Sequence, residues 1–311
     1  MASSSQSFAK FLADSRVKSM SQSFEDLLAR EINIAPGIRS KDSDSQNHLR
    51  DFLGSERGRD ASFPRILKDA DFLGGSFARH TKTWPLDDID IYVPLDGESL
   101  HYVRMGQRFP YTVLGDGILL ANPLCGPRWM VGGYVSSAML INGFVPVLKR
   151  HYPNSEVTAN GECVSVRFTH GATTDEDGLG YDIVPCFSLQ PDDANAYHIY
   201  LMPNGNNGWM ITNPQLDAGI ADALQEFHSK LYRKIVKLVK FWNRERLNQA
   251  FSSYYIELVL SRDFLGRKIR NQKIVSTSEG LADAFGALGA AFNAGDQTSW
   301  VDGAPVVGAP F

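Results

Sequence analysis

Residues 73–77 read Leu-Gly-Gly-Ser-Phe, and residues 87–93 read Asp-Asp-Ile-Asp-Ile-Tyr-Val. The Gly-Gly-Ser turn offers backbone N–H groups and a hydroxyl to phosphate. Side chains alternate between the two faces of a strand, so Asp88 and Asp90 share one face while the two isoleucines face the core. Carboxylates two residues apart are a natural chelate for Mg²⁺, which takes hard oxygen ligands and leaves room for phosphate and water. Together the two pieces predict a site that holds a nucleoside triphosphate on a divalent metal.

The composition bounds the class of protein. The chain has 311 residues, enough for two lobes, and its 43% hydrophobic and 21% charged residues are typical of a globular protein. No apolar run approaches the roughly 20 residues that span a bilayer, so no membrane association is expected. Three widely separated cysteines indicate neither a disulfide framework nor a zinc site and favour a reducing cytoplasm. The net charge of −4 argues against nucleic-acid binding over the whole surface.

Hydrophobic periodicity divides the chain into segments. The patterns predict, in order, a helix over 8–29, a polar loop over 39–47, a strand over 89–95, a hairpin over 111–121, an amphipathic helix over 129–152, and strands over 164–169 and 180–185. After Asn213-Pro214 the patterns indicate mainly helices. The Gly- and Ala-rich tail from residue 286 is expected to be only partly ordered.

Nucleotidyl transfer also needs an activated hydroxyl, and a third acid beside the metal can bind that hydroxyl and take its proton. Asp182 is the best candidate, because it begins an apolar strand that follows an alternating strand and a turn. A neighbouring strand of the same sheet would lie in that position. The competing acids, Asp175, Glu176 and Asp177, crowd a polar segment whose composition indicates a solvated loop.

Residues 227–247 are predicted to form a helix with one apolar and one basic face. The basic face carries Arg233, Lys237, Lys240 and Arg244. A solvated face on a core helix is the more common origin of such a pattern, but four cations without interleaved acids also suit a bound triphosphate. The next stretch, Phe-Ser-Ser-Tyr-Tyr-Ile-Glu at 251–257, supplies hydroxyls for phosphate and an aromatic face for a base, and it can equally begin a buried helix.

The order of these motifs resembles the DNA polymerase β-like nucleotidyltransferases. Within them the chain is most similar to the cGAS/DncV-like nucleotidyltransferases, bacterial signal synthases related to animal cyclic GMP-AMP synthase. The matching pieces are Gly-Gly-Ser (74–76), Asp-Ile-Asp (88–90), Tyr-Asp-Ile-Val-Pro-Cys-Phe (181–187), Asn-Pro (213–214), Lys-Leu-Val-Lys-Phe-Trp-Asn (237–243) and Phe-Ser-Ser-Tyr-Tyr-Ile-Glu-Leu (251–258). The first two are shared by the whole superfamily, and the later ones are more specific.

The resemblance implies an α+β, bilobed polymerase β-like fold. A catalytic lobe over residues 1–200 would hold a mixed sheet and the N-terminal helices. A helical C-terminal lobe over residues 201–311 would close the nucleotide cleft.

The resemblance also assigns roles to single residues. Asp88 and Asp90 would bind two Mg²⁺ ions, with Mn²⁺ as the alternative metal. Asp182 would complete the second metal site and help to activate a ribose hydroxyl. The implied nucleotide-binding residues are Gly75, Ser76, Lys240 and Ser253, which would hold phosphates, and Tyr254, which would stack on a base. Two metals suit in-line attack on an α-phosphate.

The activity implied is synthesis of a cyclic oligonucleotide, with a purine cyclic dinucleotide favoured, from GTP, ATP or both. The resemblance places the chain in bacterial anti-phage (CBASS-type) signalling, where the product acts on a downstream effector. The chain lacks the Cys/His metal insertion with which the animal enzyme grips DNA, so stable DNA binding is not expected. The tail over 286–311 is either a frayed terminus or a handle that docks a partner.

Three other classes remain as alternatives. A template-independent RNA nucleotidyltransferase shares the Gly-Ser and Asp-x-Asp pieces, but it needs a broad basic track, which the net charge of −4 disfavours. A small-molecule or protein nucleotidyltransferase is often shorter and lacks the long basic helix. A protein that only binds nucleotide is disfavoured because an acid cluster is costly without its metal.

Overall fold

The computed structural model describes residues 20–34, 36–56, 60–67, 69–86, 88–104, 111–115, 122–168, 179–189 and 199–294. They form two compact units. The helical unit contains described residues 20–34, 76–84 and 217–294. The sheet unit contains the described residues of 36–75 and 85–216.

Helices and strands alternate in the first part of the chain, and helices alone make up the last part. The helices are α1 (Met20–Leu27, continued by a π-helical turn over Leu28–Ile32), α2 (Pro36–Glu56), α3 (Gly75–Ala78), α4 (Ser137–His151), α5 (Pro214–Phe227), α6 (Tyr232–Leu247), α7 (Ser253–Ile269) and α8 (Thr277–Asn293). The strands are β1 (Phe72–Leu73), β2 (Ile89–Pro94), β3 (Leu100–Arg104), β4 (Tyr111–Gly115), β5 (Met130–Val131), β6 (Tyr134–Val135), β7 (Glu156–Asn160), β8 (Cys163–Phe168), β9 (Leu179–Leu189), β10 (Ile199–Pro203) and β11 (Trp209–Thr212). The predicted α+β class and mixed sheet are confirmed.

The described strands form one mixed sheet in the order β1-β2-β9-β10-β11-β4-β6-β5. β7 and β8 join it as a hairpin beside β9, and β3 pairs with β4. The β2–β9 pair is parallel, whereas β8 and β10 run antiparallel to β9. β9 thus pairs with three strands, as β4 also does with β3, β6 and β11, and β9 is longer than the strand predicted over 180–185.

The alternation of side chains between the two faces of β2 determines which of its residues lie in the core. Ile89 and Ile91 are fully buried, as expected for apolar residues two apart on one face of a strand. α4 packs against β7 and β8 and buries an apolar stripe that includes Leu140 and Phe144. Asp90, between the two isoleucines, faces the other side of the sheet.

The helix predicted over 129–152 begins later than expected. Its first part forms the β5–β6 hairpin, because Gly132 and Gly133 adopt positive φ angles of 59° and 85° and turn the chain. α4 begins after Ser136, whose Oγ accepts a hydrogen bond from the backbone N–H of Met139 at 3.2 Å.

The loop predicted over 39–47 is wrong, since α2 runs through it. Leu49, Phe52 and Leu53 are buried, and their spacing of three and four residues places them on one face of the helix. These three apolar residues lie C-terminal to the polar stretch. The stretch itself has the composition of a loop, which is why the sequence predicted one.

The helical unit has its core between α6, α7 and α8, with Ile235, Ile256 and Leu260 fully buried. The basic helix predicted over 227–247 begins later, at Tyr232. The turn before it contains Ser229 and Lys230 at positive φ angles of 53° and 65°, a backbone conformation that cannot continue a right-handed helix.

The tail predicted to be partly ordered from Gly286 remains helical to Asn293, in α8. Other predicted segments lie outside the described residues, namely 8–19 of the first helix, 116–121 of the hairpin, the acids at 175–177 and the tail after 294. Among the helices that the structure describes, none has both the length and the apolar character that a bilayer crossing requires.

Candidate active site

Asp90 and Asp182 occupy directly opposed positions on the parallel strands β2 and β9. Neighbouring strands lie about 4.8 Å apart and paired residues share a face, so the two carboxylates project side by side. Both line one cavity of about 430 Å³ in the sheet unit. The fold thus brings together two of the three predicted catalytic acids.

Ser165, on β8, holds the carboxylate of Asp182 from the other side. The residues are paired across the β8–β9 ladder, and Ser165 Oγ donates a hydrogen bond to Asp182 Oδ1 at 2.6 Å. A bond to an ionised acceptor is short and strong, so it restricts the orientation of the Asp182 side chain. One feature of the sequence could have indicated Ser165. It stands between two valines in an alternating strand, so its side chain lies on the face opposite to theirs, away from the core.

Apolar side chains surround the base of this cavity. Tyr92, Val184 and Met202 line it and belong to one buried cluster with Cys163. Burial, assisted by the charges of Asp182 and Asp90, raises the pKa of the Cys163 thiol to about 12. This thiol is therefore protonated at neutral pH in the protein alone.

The glycine pair of the Gly-Gly-Ser turn lies directly against β2. Gly74 donates its backbone N–H to the backbone oxygen of Asp90 at 2.9 Å. Gly75 has φ +58°, and a Cβ built on it would lie 1.7 Å from Asp90 Oδ2. Glycine is required at this position both for the backbone conformation and for the close approach to the carboxylate.

We therefore expect Gly75→Ala to displace the Asp90 carboxylate. A misplacement of about 1 Å in a reacting group can cost on the order of 10²-fold in rate, and that loss is the expected result in a nucleotide-transfer assay. Gly54→Ala is the matched control, because a Cβ there meets nothing within 4 Å. Equal activity of the two variants would contradict the proposed closeness of turn and acid.

Asp88 precedes β2 and is exposed to solvent. In the part of the chain that the structure describes, no three His, Cys, Asp or Glu side chains are gathered into a preformed metal cluster. Asp90 and Asp182 nevertheless suit a divalent cation, because adjacent hard carboxylates are the ligands that Mg²⁺ and Mn²⁺ take. Asp88, one residue before the strand, is the remaining predicted ligand.

The predicted nucleotide-binding residues Lys240, Ser253 and Tyr254 belong to the helical unit. Ser253 is the first residue of α7, whose N-cap is Ser252. Tyr254 is 46% exposed, and the guanidinium carbon of Arg79 lies 5.9 Å from the centre of its ring. Tyr254 is thus an accessible aromatic surface with a cation beside it.

Three cations on the basic face of α6 are paired with acids. Lys240 pairs with Glu257 of α7, Arg233 with Asp222 of α5, and Arg244 with Glu245, its neighbour in α6. The basic face predicted from the sequence therefore does not carry uncompensated charge at these three positions.

Glu257 is a buried carboxylate to which the sequence patterns assign no role. Its Oε2 accepts from Arg79 Nε at 2.6 Å and from Thr81 Oγ1 at 2.7 Å, and its Oε1 accepts from Lys240 Nζ. Burial acts to raise the pKa of Glu257, but Lys240 and Arg79 lower it to about 2. The sequence feature that could have indicated a buried, paired acid is its position as the single acid within the apolar run Tyr-Tyr-Ile-Glu-Leu-Val-Leu at 254–260.

This depressed pKa predicts acid sensitivity. The folded-state pKa of Glu257 is about 2 and its ordinary value is 4.5, so the stabilisation is complete above about 4.5 and is lost as the pH falls towards 2. Because other acids titrate in the same range, we compare urea unfolding of the wild type with that of Glu257→Gln between pH 6 and pH 3. The variant should lose less stability over this range, and equal losses would contradict the assignment.

The chain resembles known proteins in sequence and in fold. No family model matches the sequence. A probable cyclic nucleotide synthase of Bacillus cereus strain VD146 is 27% identical over 204 residues, which are 64% of this chain and 57% of the relative. The match thus spans little more than half the length of that curated relative.

Two solved structures share the fold. The E. coli MS115-1 CdnC:HORMA-deltaN complex matches with a TM-score of 0.56 and 17% identity, over 87% of this chain and 71% of the other. E. coli MS115-1 CdnC with ATP matches with a TM-score of 0.54 and 20% identity, over 87% and 72%. The chain therefore has the fold of the CdnC structures and resembles a probable cyclic nucleotide synthase in sequence, which confirms the predicted likeness to the cGAS/DncV-like nucleotidyltransferases.

Proposed function

We propose that this chain is a nucleotidyltransferase that makes a cyclic oligonucleotide, with a purine cyclic dinucleotide favoured, from GTP, ATP or both. The observation that carries the proposal is the side-by-side placement of Asp90 and Asp182 on parallel strands, facing one cavity. The sequence similarity to a probable cyclic nucleotide synthase supports the same class of reaction.

Asp88, Asp90 and Asp182 would hold the two Mg²⁺ ions. Bound there, the metal would favour ionisation of a ribose hydroxyl and offset the charge of the departing pyrophosphate. Asp182 would accept the hydroxyl proton, and the hydrogen bond from Ser165 supports this role because it orients the carboxylate. Asp90 is held by its strand, and its backbone oxygen accepts the N–H of Gly74.

The remaining site residues would bind the nucleotide. Gly75 and Ser76 would bind the terminal phosphates, and Lys240 and Ser253 would bind the triphosphate. Tyr254 would stack on a base, for which its exposed ring is suited. A nucleotide substrate is consistent with the ATP bound to CdnC, a protein of the same fold.

The biological setting proposed is bacterial anti-phage signalling in the cytoplasm. The cyclic product would act on a downstream effector, and stable DNA binding is not part of the proposal. The HORMA partner belongs to CdnC in its complex. For this chain, a partner-docking role is proposed for the tail over residues 286–311, with a frayed terminus as the alternative.

The test is incubation with all four NTPs and Mg²⁺, followed by phosphatase and mass spectrometry of the resistant products. A phosphatase-resistant cyclic purine nucleotide is the expected result. A labelled RNA primer and a panel of small-molecule acceptors are included in parallel. Primer extension, or transfer of one nucleotide without cyclisation, would replace the proposal by one of the alternative transferase classes.

A further inference from the structure

One carboxylate in the helical unit joins elements that are distant in sequence. Glu257 follows Ser253 by four residues and Tyr254 by three, so all three share one side of α7. Its side chain is 4% exposed, and that of Lys240 is 5% exposed. Glu257 therefore lies directly beneath the two α7 residues proposed to bind nucleotide.

The same carboxylate reaches the segment that follows the Gly-Gly-Ser turn. Thr81 donates its hydroxyl to Glu257 at 2.7 Å, and the backbone N–H groups of Thr81 and Lys82 donate to the backbone oxygen of Ser76 at 2.9 and 3.0 Å. Ser76 is thus connected to Glu257 through one intervening residue. Arg79, from the same segment, donates to Glu257 at 2.6 Å.

Lys240 is held in place by two acceptors. Its ammonium donates to Glu257 and, at 3.3 Å, to the backbone oxygen of Thr81. An ammonium has three N–H donors, and these contacts use two of them. Without the charge of Glu257, Lys240 and Arg79 would be buried cations facing each other, and their repulsion would move the ammonium.

We propose that Glu257 is a positioning residue whose buried ion pairs with Lys240 and Arg79 hold the segment from Ser76 to Thr81 and the start of α7 in the arrangement that binds the triphosphate. The proposal rests on the proposed function and deepens it, because it names a residue that sets the geometry of the phosphate contacts without touching the nucleotide. The ligand recognised is the triphosphate group, whichever base it carries.

The test compares Glu257→Gln and Thr81→Val with the wild type and with Asp222→Asn. Thr81→Val keeps the shape of the side chain and removes only the hydrogen bond from the hydroxyl to Glu257. It leaves both buried cations with their carboxylate, so it remains informative if Glu257→Gln folds poorly. Asp222 pairs with Arg233, and its side chain is 69% exposed, which makes it the matched control. Circular dichroism selects conditions under which every variant is folded.

The probes are α,β-methylene analogues of ATP and GTP with Mg²⁺, inorganic tripolyphosphate, and adenosine without phosphate. We expect Glu257→Gln to raise the dissociation constants of both analogues and of tripolyphosphate about tenfold to hundredfold, the range for losing a hydrogen bond to a charged group. Thr81→Val should raise them several-fold, and Asp222→Asn should leave them unchanged. In turnover assays the KM for NTP should rise much more than kcat falls, which a general loosening of the fold would not produce.

Two outcomes separate this inference from the proposed function. If the wild type binds no triphosphate probe and forms no product, the proposed function fails and the inference fails with it. If the wild type binds and both folded variants bind tripolyphosphate equally well, the positioning role is overturned while the proposed function stands. A double variant whose effect equals the sum of the single effects would also overturn it, because changes acting through one carboxylate must be non-additive.

Discussion

Asp90→Asn and Asp182→Asn are each expected to reduce nucleotide transfer on the order of 10³-fold or more. Each amide keeps the shape of the side chain but removes a negative charge that would bind metal, and such charge stabilisation contributes several kcal/mol to the transition state. The effect should appear in kcat, measured as the initial rate of pyrophosphate release from GTP and ATP. Asp182→Asn also removes the proposed proton acceptor.

One further variant is a control for this loss, and a second one tests the orientation of Asp182. Glu156→Gln changes an exposed acid on β7 of the same sheet and should leave the rate unchanged. Ser165→Ala removes the 2.6 Å hydrogen bond to Asp182 and should cost about tenfold to hundredfold, as residues that orient metal ligands do. If Asp182→Asn retains the wild-type rate while Asp90→Asn is inactive, Asp182 is not the third acid, and Asp175, Glu176 and Asp177 become the candidates.

The second large effect concerns stability. Glu257→Gln should lower the free energy of unfolding by about 3–5 kcal/mol, the cost of removing one partner from a buried ion pair. The reason is that Lys240 and Arg79 stay buried, with side chains 5% and 11% exposed, while their shared carboxylate is lost. Urea unfolding at pH 7 measures the change.

Asp222→Asn is again the control, since surface pairs contribute about 1 kcal/mol or less. Its partner, Arg233, retains a second interaction through the backbone oxygen of Arg79 at 2.9 Å. If the two substitutions destabilise the protein equally, the buried carboxylate has no special part in the fold of the helical unit.

The acids of the sheet could be predicted because local rules determine them. The alternation of Asp and Ile along β2 places Asp90 away from the core, and β9 reads as an apolar strand with one acid. The start of α7 was equally local, since Ser252 and Ser253 are residues favoured at helix N-termini. Tyr255 and Ile256 are buried there, as the prediction of a buried helix requires, and Tyr254 is exposed.

The partners of the basic helix that lie outside it could not be predicted, because they are set by tertiary contacts. Glu257 meets Lys240 of α6 across 17 positions of sequence and Arg79 across 178, and no pattern within α6 or α7 encodes those distances. The helical conformation of residues 39–47, in the N-terminal part of α2, was missed for a related reason, since a polar helix is stabilised by a few apolar residues at one end rather than by its own propensity. The fold class and the acids of the sheet can therefore be predicted from short-range sequence patterns, whereas the pairing of charges between distant segments can be read only from the structure.

The parallel pairing of β2 with β9 has a consequence for how the protein reaches its active form. The two acids stand about 90 residues apart along the chain and meet only through this ladder. Non-local contacts of this kind form slowly, because a long loop must close before they stabilise anything. During refolding, helix formation should therefore precede the recovery of activity, and a collapsed chain without this ladder would hold no catalytic pair at all.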